Sequence, residues 1–193
     1  MNNILVLSAH PDDLEMSCGG TVAKLVGEGK SVTSIVLNEL VPHAEYLQKS
    51  KATLGFFSLS LDISTKPIRE AVAIIEDAIN DLSIDTIITH WDEDWHQEHR
   101  RCSEIGRILA RRQPINLWYM SSYPYNLKYK NFSPNMYISI NNKDYIKKEA
   151  AIKAYKNIEV NWRRGVSSHD SWRGSRIGAK FAEVFMVEDQ VIL

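Results

Sequence analysis

Two short stretches of this 193-residue chain hold side chains able to do metal and proton chemistry. The first is Ala9-His10-Pro11-Asp12-Asp13-Leu14-Glu15. The second is His90-Trp91-Asp92-Glu93-Asp94-Trp95-His96-Gln97-Glu98-His99. Together they contain four of the six histidines, unlike charge scattered over a solvated surface. His96 and His99 are spaced to share one face at a helix start. Two imidazoles and a carboxylate, here His10, Asp13 and His99, are the ligand set of a catalytic zinc ion that keeps a fourth position for water. An acid off the metal must take that water's proton, and Asp12, next to a ligand, is the candidate base. Plainer readings compete: Asp12 and Asp13 as helix N-caps, and a histidine at a strand end as a capping or core-rim residue. A magnesium- or manganese-dependent phosphoesterase is the rival metal chemistry, although imidazole with carboxylate favours zinc or iron. The helical signatures HExxH and HxxEH are absent; the stretch from His96 reads HxEH and fits neither.

The elements that must position these residues alternate between strand-like and helix-like. Ile4-Leu5-Val6-Leu7 is apolar throughout, as a strand covered on both faces requires, and the proline at 11 ends it. Gly19-Gly20-Thr21 leads into a helix carrying Val22, Leu25 and Val26. Val32–Leu37 reads as a second strand, His43–Leu54 as a helix stopped by Gly55, and Phe57, Leu59 and Leu61 as a weaker third strand. After Pro67 the residues Ile68, Val72, Ile75, Ile79 and Leu82 form a one-sided apolar stripe. Thr86-Ile87-Ile88 is the next buried strand, followed by a helix with Cys102, Ile105 and Leu109 inward. Leu117–Met120 and Met136–Ile140 read as later strands, and Ala150, Ala154 and Ile158 as one helix before Trp162. This order predicts a single α/β domain over residues 1–193, built on a mostly parallel sheet. Ligands of such sheets bind beyond the carboxyl ends of the strands where the winding reverses. In the commonest order the first and fourth strands flank that point, so the turns after Leu7 and Ile88 are expected to meet.

Composition excludes several other functions. Lys and Arg total 23 against 24 for Asp and Glu, a net charge of −1, so no overall field draws the chain to nucleic acid or an anionic membrane. Two cysteines, Cys18 and Cys102, make neither a disulfide framework nor a CxxC site. No secretory signal and no membrane span is read in the sequence, and a cytoplasmic location is expected.

Ala9-His10-Pro11-Asp12-Asp13-Leu14-Glu15, with Cys18-Gly19-Gly20-Thr21, closely resembles the AHPDD…GGT signature of the PIG-L / LmbE-like family of zinc-dependent N-deacetylases. Asp94-Trp95-His96-Gln97-Glu98-His99 is similar to the second signature of that family, D-x-H-P-D-H. Arg173-Gly174-Ser175-Arg176-Ile177-Gly178 with Phe181-Ala182-Glu183-Val184-Phe185 resembles its C-terminal segment RGxxxGxxYAExF. The resemblance implies a Rossmann-like three-layer αβα sandwich in which His10, Asp13 and His99 bind Zn2+ and Asp12 is the general base. It implies that His96 stabilises the oxyanion, held protonated by an acid behind it, Asp94 or Glu98. The implied substrate is a small N-acetyl (or other short N-acyl) amino sugar, free or linked to inositol, a nucleotide or a lipid. Family members are often homo-oligomers. Gln97 and Glu98 depart from the proline and aspartate of the second signature, and Phe181 stands where members often carry a tyrosine. A rival from another class is a sugar-binding module that kept the fold without turnover.

Substrate contacts are sought in Asn161–Arg176, where Arg163, Arg164, Trp172 and Arg173 suit a lid gripping an anionic sugar. The plainer reading is a solvated loop with its tryptophans packed inward. Trp91 and Trp95 are expected in the core, and Cys18 as a small packed residue. His43 is read as a surface residue, and Arg100, Arg101, Arg107, Arg111 and Arg112 as the wet face of one helix.

Overall fold

The computed structural model describes residues 1–38, 44–111, 114–122 and 132–189; His43 and Arg112 lie outside the described residues. The elements follow the predicted alternation: β1 (Asn3–Ser8), α1 (Asp13–Gly27), β2 (Ser31–Val36), α2 (Ala44–Leu54), β3 (Phe57–Ser60), α3 (Ile68–Ile79) and β4 (Thr86–His90). After them come α4 (Gln97–Ala110), β5 (Asn116–Met120), β6 (Met136–Ile140), α5 (Asn142–Ala154), α6 (Val160–Ser175) and β7 (Phe181–Asp189). Two differences stand out. The final motif block forms a strand, β7, and the helix expected across Ala150–Ile158 ends at Ala154, where Tyr155 leaves helical geometry at φ −83°, ψ 101°.

The strands form one sheet in the order β3-β2-β1-β4-β5-β7-β6. The first five are parallel, and β7 runs antiparallel to both β5 and β6. β1 pairs with β4 through Ile4↔Thr86, Leu5↔Ile87 and Val6↔Ile88, the adjacency expected for the two loops. Successive side chains of a strand point to opposite faces, and the core divides accordingly. Leu5, Leu7 and Ile87 pack with Val72 and Ile75 of α3 and with Cys102 and Ile105 of α4. Ile4, Val6 and Ile88 pack with Leu14 and Val22 of α1, Leu47 of α2 and Ala151 of α5. The sheet is thus covered on both sides, as in a three-layer sandwich. Among the described residues no helix is long and apolar enough to cross a membrane.

α1 is broken at Cys18 (φ −141°, ψ 19°). The break frees amides that a continuous helix would use, and the buried Glu183 carboxylate of β7 accepts two of them, from Gly20 at 2.9 Å and Thr21 at 2.6 Å. A Cβ at Gly20 would lie 2.9 Å from Ile140 and 3.2 Å from Glu183, so the glycine of the first motif makes room for the acid of the third. Lys148 of α5 donates to Glu183 and to Asp170 of α6, each at 2.6 Å. All three are buried. Burial opposes the charge on Lys148, but the two carboxylates override it and raise its pKa. Gly174 brings α6 against the start of β7: a Cβ there would meet backbone atoms of Ala179, Lys180 and Phe181 at 2.7 Å.

Gly174→Ala is therefore expected to destabilise by about 1–3 kcal/mol or more, because backbone cannot step aside as a flexible side chain would. Gly27→Ala, with nothing within 4 Å of the added carbon, is expected to be neutral or to gain up to about 1 kcal/mol of helix propensity. Denaturant unfolding of both variants checks the contrast, and a Gly174→Ala protein as stable as the parent contradicts it.

Candidate metal centre

The carboxyl ends of β1 and β4 deliver the two motif loops to one place. Asp13 opens α1, and its Oδ2 accepts the His10 backbone N–H at 2.7 Å, closing the turn. Asp12 stands at the N-cap of α1 but makes no side-chain capping bond, so the capping reading does not account for it. His10 Nδ1 lies 3.3 Å from Asp13 Oδ2, and His99 Nε2 lies 3.4 Å from Asp13 Oδ1. The His10 and His99 rings are 5.4 Å apart. His96 sits between them, 4.8 Å from His10 and 4.7 Å from His99.

The donor types, imidazole and carboxylate, suit a zinc ion. Bonds of about 2.0–2.2 Å in a tetrahedron separate neighbouring donors by roughly 3.3–3.5 Å, close to the distances from Asp13 to His10 and His99. Two overlapping triads, His10-His96-His99 and Asp13-His90-His99, each keep their donor atoms within 4.8 Å of one another; neither is the predicted set, which takes His10 from the first, Asp13 from the second and the shared His99. Nearby carboxylates also make the pocket attractive to positive charge. Burial opposes protonation of His10, but Asp13 and Glu98 outweigh it and push its pKa up to about 9. His99 is likewise buried, yet Asp13 and Asp94 push it up to about 10. Burial would raise the Asp13 carboxyl, but His99, His90 and His10 hold it well below the usual carboxylate range.

The supporting acids are arranged differently from the sequence expectation. Glu98 Oε2 bonds His10 Nε2. Asp94 Oδ2 lies 3.1 Å from His99 Nδ1, while its Oδ1 accepts the His96 backbone N–H at 2.8 Å. Each acid thus backs a ligand candidate, the usual outer contact of a metal-bound imidazole. His96 instead caps α4: its Nδ1 accepts the Glu98 backbone N–H at 3.3 Å. Capping needs an unprotonated Nδ1, so the ring's one proton sits on Nε2. Burial and the neighbouring His99 and His10 also lower its pKa. The protonated His96 expected from the resemblance is therefore corrected to a neutral ring.

His90 belongs to this pocket although sequence reasoning gave it no role beyond membership of the cluster. It ends β4, fully buried, and stacks on His99 at 3.8 Å with 16° between planes. Its Nε2 accepts the Ala9 N–H and lies 3.1 Å from Asp13 Oδ2, while Nδ1 meets Ser122 Oγ at 3.0 Å. Desolvation and His99 push its pKa down to about 4. Its place at the strand end beside His99's helix was the available signal.

The expected substrate residues are dispersed. Asn161–Arg176 is largely helix α6 rather than a loop. Arg173 points inward, buried, and donates to Ser121 Oγ at 2.6 Å. Arg163 donates to the Tyr155 carbonyl at 3.0 Å, and Arg164 is exposed. Trp172 is 56 % exposed beneath Arg176, and Trp162 is exposed as well, so neither packs inward. Trp91 is buried as expected, but Trp95, beside His96, is 49 % exposed; Arg100 donates to its carbonyl and to that of Asp94. Phe181 stacks on Tyr145 at 3.6 Å.

Beneath the turn lies the buried Glu15, whose Oε1 accepts from Ser50 Oγ and lies 3.1 Å from the Tyr155 hydroxyl oxygen. Desolvation outweighs these contacts and lifts its pKa from 4.5 to about 8. The folded state then holds a proton that the unfolded chain releases. Its contribution is whole below about pH 4.5 and is lost as pH rises to about 8, at up to about 1.4 kcal/mol per pH unit. Glu15→Gln, neutral at every pH, is expected to flatten that slope; urea titrations across this range measure it, and an unchanged slope contradicts the assignment.

Residues 5–55 match the family model PIG-L, GlcNAc-PI de-N-acetylase. YaiS, an uncharacterized deacetylase of Escherichia coli K12, is 24% identical over 171 residues, covering 80% of this chain and 90% of YaiS. Among solved structures, the N,N'-diacetylchitobiose deacetylase of Pyrococcus horikoshii matches with a TM-score of 0.75 at 16% identity, over 95% of this chain and 82% of that one. GalB, the 4-carboxy-2-hydroxymuconate hydratase of Pseudomonas putida, matches with a TM-score of 0.82 at 15% identity, over 100% and 98%. The family match falls on the first of the three motif blocks in which the resemblance to the PIG-L / LmbE-like deacetylases was read, and the fold is shared with solved structures that include a deacetylase.

Proposed function

We propose that this chain is a zinc-dependent hydrolase that removes an N-acetyl or other short N-acyl group from an amino sugar or sugar conjugate. The observation that carries the reading is the convergence of His10, Asp13 and His99 from two distant loops, with Asp12 at the adjoining position. The description of the matched family and the sugar deacetylase among the solved structures support the substrate class.

His10, Asp13 and His99 would hold the zinc ion, which when bound supplies a Lewis acid for the amide carbonyl and acidifies a water molecule. Asp12, which immediately precedes Asp13 at the start of α1, takes the proton of the attacking water and returns it to the departing amine. His96 presents Nε2–H as a neutral donor to the oxyanion, its other nitrogen committed to the helix cap. Asp94 and Glu98 steady the imidazoles of His99 and His10.

The test is amine release from a panel of free, nucleotide-linked and lipid-linked N-acetyl amino sugars, run alongside metal analysis. Asp12→Asn is expected to keep zinc and lose about 10²–10⁴-fold in kcat. His99→Ala is expected to lose the metal, and His96→Ala to lose about 10²–10³-fold in rate with zinc retained. An active Asp12→Asn protein removes the proposed base. Zinc binding without amine release from any panel member would instead favour addition of water to an unsaturated acid, the reaction type named for the Pseudomonas neighbour.

A further inference from the structure

The turn that carries Asp12 and Asp13 is held from below by a side chain outside all three motif blocks. Tyr155 follows α5 at the point where the helix breaks, and it is among the largest fully buried side chains of the protein. Its hydroxyl donates to the carbonyl of Pro11. That carbonyl belongs to the peptide unit joining Pro11 to Asp12, so the bond fixes the plane from which the Asp12 side chain departs.

The same hydroxyl lies 3.1 Å from Glu15 Oε1, one helical turn further on, and Ser50 of α2 reaches Glu15 from the other side. The ring is itself immobilised. It lies edge-on to Tyr46 at 5.9 Å, in a cluster with Met16, Ile152, Ile158 and Val166. Its backbone is held by Arg163, whose guanidinium donates to the Tyr155 carbonyl at 3.0 Å. A rigid hydroxyl on a packed ring, braced by an arginine, is more than a buried tyrosine needs to satisfy its own oxygen, since Glu15 alone offers an acceptor.

We propose that Tyr155 is a positioning residue for the metal centre: its hydroxyl fixes the Pro11–Asp12 peptide and thereby the directions of the Asp12 and Asp13 carboxylates. The inference rests on the proposed function for what those carboxylates do, but the pinning itself is a property of the protein without metal or substrate.

Tyr155→Phe keeps the ring and deletes the bond. Three readouts separate positioning from bulk stability. Hydrogen exchange of the metal-free protein is expected to speed up about tenfold or more at the amides of Asp13 and Met16, which bond His10 and Asp12 carbonyls, with core strands unchanged. Zinc affinity, measured by competition with a chelator, is expected to fall about 10–100-fold, the range for losing an outer contact of a metal ligand. With an N-acetyl amino sugar, kcat is expected to fall while KM stays within about twofold. Ser50→Ala, which loses a bond to Glu15 but none to the turn's backbone, is expected to leave exchange at Asp13 unchanged. Unchanged exchange and zinc affinity in a folded Tyr155→Phe protein would overturn the proposal, as would a uniform rise in exchange over the whole fold. If the parent protein binds no zinc, the proposed function falls while the exchange measurement still decides the role of Tyr155.

Discussion

The parallel pairing of β1 with β4 is the constraint on which the centre depends. Three register pairs, from Ile4 with Thr86 to Val6 with Ile88, bring two strands together that are about eighty residues apart in the chain. Both strands are buried on both faces, so a one-residue slip would turn Leu5 and Ile87 out of one core layer and into the other. The register is therefore fixed by packing, and the loops inherit it. His10 leaves one strand and His90 ends the other, and the Ala9 N–H to His90 bond ties the two ends before any ligand is considered.

Around that junction the protein concentrates charge that would be costly anywhere else. Asp13, His99, His90 and Asp94 are buried or nearly so. They are tolerable together because each carboxylate faces imidazole nitrogens or backbone amides. A second concentration lies behind α1, where Lys148 joins Asp170 and Glu183 in the dry interior. It faces no histidine of the centre among these contacts; its work is to supply the acceptor for two amides at the break in α1. The two charge clusters grip opposite ends of one short helical segment, Asp13 to Thr21, and so hold the first motif from both sides.

Much of this was legible from residue types and order. Apolar runs marked β1, β2, β4 and β5, and the stripe after Pro67 marked α3, because buried strands and one-sided helices have distinct periods. The meeting of His10, Asp13 and His99 followed from the winding rule for parallel sheets. What resisted reading depended on contacts rather than patterns. The last strand was hidden because Phe181–Asp189 mixes charges with apolar residues, as a strand beside an antiparallel edge can. Spacing places Asp94 and Glu98 near His96 in the chain and leaves open which of them orients it; only the contacts show that Asp94 reaches both the His96 amide and His99, and that Glu98 reaches His10. Arg173 was read as a substrate contact by residue type, and residue type carries no signal for its burial or for its bond to Ser121. Tyr155 carries no signal in its neighbours at all, since its partner is a backbone carbonyl far away in the chain.

The position of β7 has a consequence for the order in which the molecule can be made. It lies between β5 and β6, so β6, although synthesised some forty residues earlier, has no route into the sheet until β7 arrives. The same late strand carries Glu183, without which Lys148 would sit in the dry interior short of one of its two partners. A nascent chain can lay down the parallel half as it emerges, but the amides at the Cys18 break gain their Glu183 acceptor only when β7 has been made. The segment that follows β1 is thus completed only once β7 is in place, and until then β5 presents an unpaired edge of the kind that invites misassembly.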